Sequence, residues 1–149
     1  MGTTTFEADV HNGAERILIS VLRVIGVAAL CAVPAIFFPY SWMNSIHQYA
    51  GLGQLPDEPI VSYLSRSLSL FYAGHGVIAL YAASDVRRHH GLVQVLGWLF
   101  LVTGVTILGI DLHSGMPTLW TISESPFAMA VGGLVLVLQR RIPRTIDKA

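Results

Sequence analysis

The chain has 149 residues, 53% hydrophobic and 12% charged, with nine basic and nine acidic side chains giving a formal net charge of zero. Soluble domains carry about 25% charged residues, and a chain this short needs a large polar skin to stay in water, so the composition points to a membrane. A neutral balance also argues against a nucleic-acid binder, whose affinity rests on neutralising phosphates.

The first predicted segment runs from about Ile17 to Phe38. Asn12 followed by Glu15 reads as a capping box for orphan amides, Pro34 as a kink and Pro39 as the stop. The run is too long for a signal-peptide core and lacks a basic flank, so it is expected to be retained. Phe6 stands where a myristoylation signal needs Ser or Thr. Cys31 is the one cysteine, which excludes an intramolecular disulfide, a paired-thiol redox centre and a cysteine zinc cage. Its expected place is that of a small buried hydrophobe.

The second segment, residues 59–83, takes Asp57 as its N-cap and Pro59 in its first turn. The third, residues 92–110, contains no charge. The fourth, residues 126–142, starts on Ser125-Pro126 and stops before Pro143. Its 17 residues lie at the lower limit for a hydrocarbon core about 30 Å thick. The expected fold is an all-α, four-helix membrane bundle in a single domain, with an interfacial segment on the outer face.

Loop charge sets the expected orientation. Arg87 and Arg88 lie between segments two and three, and Arg140, Arg141, Arg144 and Lys148 follow segment four. The other two connections hold no Lys or Arg; they carry Asp57, Glu58, Asp111 and Glu124. Both termini are therefore expected in the cytoplasm of a cell whose inner (plasma) membrane the chain crosses four times. Tyr40, Trp42, Tyr49, Tyr63 and Trp120 fit an aromatic belt at the outer boundary, and Tyr81 sits near the inner one.

Segment two is the polar one. Nine Leu, Ile, Val or Phe residues between Ile60 and Leu80 contribute roughly −3 to −5 kcal/mol to insertion, while a central Arg costs about 2.5 to 3.5. Such a helix needs its neighbours, and its polar side chains should face the bundle or a water-filled cavity. Arg66, about 9 Å inside the boundary at ~1.5 Å rise per residue, reads as the base of an anion or headgroup site with Ser65 and Ser69, within reach of Asp111 and Glu124. The structural alternative is a snorkelling Arg or a helix-locking ion pair. His75 lies nine residues further on, a half-turn offset at about 100° per residue, so it faces away from Arg66. It fits a proton relay, a haem ligand shared with a second copy, or a neutral His bonded to a Ser or backbone carbonyl at a tight Gly-x-Gly crossing. Arg23 is expected to snorkel or pair with Asp85.

The connection from Asp111 to Glu124 is too apolar for a free loop and reads as a cap in the outer interface. Asp111, His113, Glu124 and His47 are metal-compatible ligand types without a defined spacing; the alternative has Asp111 ending a helix and Glu124 beside the next helix N-terminus. Small residues at four-residue spacing, Ser65/Ser69/Ala73, Ala28/Ala32 and Ala128/Gly132, permit close helix crossings.

The polar outer half of segment two, Tyr63–Gly76, and the four-segment plan resemble small bacterial inner-membrane proteins of the DoxX-like kind. The resemblance spans most of the chain as a plan and implies a four-helix bundle with no assigned chemistry. Small multidrug transporters share the size, but they depend on a Glu in the first helix, where this chain has Arg23. The leading expectation is a non-catalytic accessory or assembly bundle without a cofactor, its partners being lipid and a second copy or larger complex. A carrier or channel for a small or anionic solute, built on Arg66, Ser65, Ser69 and His75, comes next. An outer-face enzyme or electron-transfer subunit comes last, because four helices with short loops leave little room for a catalytic cavity.

Overall fold

The computed structural model describes residues 3–143, with side chains from residue 13 onward. Among these residues the chain is helical without strands: α1 Thr3–Leu30, a 3₁₀ turn Pro34–Phe37, α2 Tyr40–Tyr49, α3 Pro59–Ala82, α4 His90–Ser114 and α5 Thr118–Gln139. Three stretches, Gly13–Phe37, His90–Ser114 and Thr118–Gln139, are long and apolar enough to cross a membrane. α3 has comparable length, 24 residues, but Arg66, His75 and its serines dilute its apolar character.

Prolines and glycines set the boundaries. α1 ends at Leu30 because the Pro34 ring would collide with the carbonyl four residues back. The chain tightens instead into three-residue bonds, Ala32 N to Ala29 O at 3.1 Å and Val33 N to Leu30 O at 3.0 Å. α4 stops at Gly115, whose φ of 65° suits a residue without Cβ. The Met116 amide then bonds back to Asp111 O at 3.0 Å, and Pro117 caps α5.

Several boundaries differ from expectation. Asn12 lies inside α1 rather than at its start, and its side chain is outside those described. Glu15 closes no capping box; it binds Arg87, with Oε2 2.7 Å from Nη2. The N-cap of α3 is Glu58 rather than Asp57, with no side-chain bond. α5 starts at Thr118, so Ser125-Pro126 lies within the helix rather than at its head. A proline is tolerated there because neighbouring helices can satisfy the freed backbone groups. The expected interfacial cap from Asp111 to Glu124 is accordingly absent: α4 and α5 extend through it and leave the turn Gly115–Pro117. Cys31 is exposed rather than buried. Arg144 and Lys148 lie outside the described residues.

The long helices associate as two antiparallel pairs. In α1–α3, Glu15 meets Arg87, Gly26 meets Gly76 and Phe38, beyond α1, meets Arg66. In α4–α5, Gln139 meets His90, Leu136 meets Gly97 and Met129 meets Gly104. Glycine makes both crossings possible. A Cβ at Gly76 would lie 2.7 Å from Gly26 O, and one at Gly132 2.7 Å from Gly97 O.

The pairs join mainly through α1 and α5, whereas α3 and α4 touch little. The buried cluster gathers at the Arg87 end, around Leu18, Leu22, Ala82, Val86, Val93 and Val135. Towards the Asp111 end, α3 and α4 separate.

Candidate functional site: a lateral cleft between α1, α3 and α4

The separation leaves a cleft of about 260 Å³. Its wall combines Ile25 and Ala29 of α1, Leu68, Phe71, Tyr72 and His75 of α3, and Leu99, Phe100, Thr103 and Ile107 of α4. Leu68, Tyr72 and His75 follow a four-then-three spacing, one stripe of a helix. Leu99, Thr103 and Ile107 repeat every four residues on the facing helix, so each helix turns one face to the gap.

His75 is the one imidazole in this apolar wall. Its Nδ1–H donates to Phe71 O at 2.8 Å, a tautomer assigned from that bond, which leaves Nε2 as an acceptor. Gly76, beside it, is the contact point with Gly26. His75 thus bonds a backbone carbonyl of its own helix beside the glycine crossing.

A second cavity, about 340 Å³, shares Leu68 and Tyr72 with the cleft and adds Trp120, Ser123 and Glu124 of α5. The Tyr72 hydroxyl donates to Glu124 Oε1 across a long 3.5 Å. A third, about 210 Å³, lies beneath α2 and is lined in part by His47, Leu55, Ser65, Ser69 and Trp120. There His47 Nδ1–H donates to Gly53 O at 3.0 Å, the Leu55 amide donates to Asn44 Oδ1 at 2.9 Å, and the Tyr40 hydroxyl donates to Leu55 O. These bonds fold the 50–58 connection against α2.

The predicted site residues are not assembled into one site. Ser65 and Ser69 line the space under α2 and donate within α3, to Val61 O and Ser65 O, both at 2.9 Å. His75 lies in the cleft. Arg66 lines neither cavity; its Nη2 donates to Phe38 O at 3.3 Å. Neither Asp111 nor Glu124 pairs with it: buried Asp111 accepts from the fully buried Ser125 hydroxyl at 3.2 Å, and Glu124 faces Tyr72.

Asp111, His113, Glu124 and His47 form no shared site: among the described residues no three metal-ligating side chains converge. Glu124 sits beyond the first turn of α5, outside the reach of its dipole. Asp85 accepts from the Arg87 and Arg88 amides rather than from Arg23, which is exposed.

Comparison with models of protein families, with curated proteins and with solved structures finds no match. The chain's own geometry is therefore the source of any functional reading.

That geometry includes residues the sequence reasoning passed over. Tyr72 and Thr103 were hidden because neither is unusual in a helix; the spacings to His75 and Ile107 were the available signal. At the opposite end, buried Gln139 donates to His90 O at 2.7 Å. The Glu15–Arg87 pair ties α1 to the α3–α4 connection, and the Glu15 hydrogen bond followed by its charge holds the Arg87 guanidinium above its ordinary pKa.

Proposed function

We propose that this chain is a non-catalytic, four-span membrane protein with both termini in the cytoplasm, whose cleft takes up a lipophilic small molecule from the bilayer. The cleft carries this reading. It is apolar, lies between two helices that touch little, and offers a few hydrogen-bonding groups, as small-molecule sites do. The α3 serines, by contrast, already bond within their helix, which counts against the anion path along Arg66, Ser65 and Ser69.

The orientation is supported by charge. Arg87 and Arg88 lie near the Arg140–Arg141 end of α5, while Asp111 and Glu124 lie at the far end of the α4–α5 pair. Basic residues favour the cytoplasmic side. α3 completes the fourth crossing as a helix held by α1, and its exposed Arg66 bonds the Phe38 carbonyl of the chain beyond α1.

The uptake reading is tested by calorimetric titration of decanol into the protein in lipid nanodiscs, with empty discs subtracted. Saturable binding is expected. Thr103→Phe, which fills the cleft from α4, should weaken it at least tenfold without changing thermal unfolding. Partitioning indistinguishable from empty discs would overturn the reading.

A further inference from the structure

We infer that the molecule admitted to the cleft is a cationic amphiphile, with its positive headgroup held by Glu124, Trp120 and Tyr72 and its apolar body lying along the His75 cleft. The inference rests on the uptake reading above and adds the charge and chemical class of the occupant.

Three observations support it. The two cavities share Leu68 and Tyr72, so the Glu124 cavity adjoins the cleft at those two side chains. The Glu124 cavity brings a carboxylate and two aromatic side chains together. Aromatic faces attract quaternary and protonated ammonium groups through their quadrupole, and Glu124 adds an acidic side chain beside them. Finally, among the described residues neither cavity is lined by Lys or Arg.

The charge balance also separates candidate occupants. A phospholipid brings a phosphate beside its ammonium, and that phosphate would sit near Glu124 with no basic side chain in the lining to receive it. Arg66 precedes Tyr72 by six residues, about 9 Å along the axis and roughly 120° around the helix, and it is bonded to Phe38 O. Asp111, near the end of α4 on this side, is engaged with Ser125. The Glu124 cavity therefore suits a cation without an attached anion. Leu99 to Ile107 spans about 12 Å at ~1.5 Å per residue, the length of a short alkyl chain.

The test compares decyltrimethylammonium, decanol and decyl sulfate by calorimetry in zwitterionic nanodiscs, each corrected for empty discs. The cation is expected to bind at least tenfold more tightly than decanol, and decyl sulfate to bind most weakly. Glu124→Gln should bring the cation to the level of decanol while leaving decanol unchanged. Glu124→Lys should reverse the preference towards decyl sulfate, and Trp120→Leu should weaken the cation several-fold. Equal binding of all three probes, or an unchanged cation affinity in Glu124→Gln, would overturn this inference and leave the uptake reading standing. Binding of none of the three would overturn both.

Discussion

At Gly132 the backbones of α4 and α5 touch. A Cβ there would lie 2.5 Å from Leu101 N and 2.7 Å from Gly97 O, whereas one at Gly133 would meet nothing within 4 Å. Backbone atoms cannot swing aside as a flexible side chain can, so the helices must part. Gly132→Ala should therefore destabilise the protein by about 1–3 kcal/mol, the usual cost of overpacking. Gly133→Ala should be neutral or favourable by up to about 1 kcal/mol, since Ala is the better helix former. Thermal unfolding in mild detergent compares the two directly, and equal effects would contradict the proposed crossing. The sequence made Ala128/Gly132 visible as a small-residue pair, but it could not say which neighbour approached. Gly97 and Gly104 escaped notice because spacing within one helix carries no information about the facing helix.

Among the elements, α3 depends most on its neighbours. Alone, its apolar residues barely offset Arg66, and the structure supplies compensation: the Phe38 carbonyl accepts from the guanidinium, and Gly26 lets α1 lie against Gly76. Presented singly to a membrane-insertion assay, α3 should insert incompletely, and Arg66→Leu should make its insertion more favourable by about 3 kcal/mol. Full insertion of the unaltered segment would contradict its dependence on α1. The sequence was accurate about α3 because Pro59 and a long apolar stretch leave few alternatives for its ends. It misplaced the start of α5 because Ser125-Pro126 has the chemistry of a helix start. Tertiary context overrides that local signal, since Ser125 is needed inside the helix to bond Asp111.

Across the whole molecule, packing is uneven. The buried cluster lies at the Arg87 end, while the cleft and the adjoining Glu124 cavity lie further towards the Asp111 end. α3 and α4 should consequently move more against each other at the open end. Spin labels at Leu64 and Leu112, both exposed, should give a broader distance distribution by pulsed electron resonance than labels at Ser84 and Gln94, which are also exposed. Adding decyltrimethylammonium should narrow the first distribution and leave the second unchanged. Equal widths in the unliganded protein would argue against a hinged cleft.

The sequence by itself determined the helical, membrane-compatible character, the length of α3, and the division between a basic end and an acidic, aromatic one. Those properties follow from composition, hydropathy and the placement of charge along the chain, which need no partner helix. Only the tertiary structure decided which polar side chains meet. It separated Arg66 from Glu124, buried Asp111 against Ser125, dispersed the metal-compatible residues and set His75 in a cleft that Tyr72 and Thr103 share. The physical reason is that a helix fixes the spacing of its own side chains but not its rotation against a neighbour. That rotation is set by close contacts such as Gly26 with Gly76 and Gly97 with Gly132.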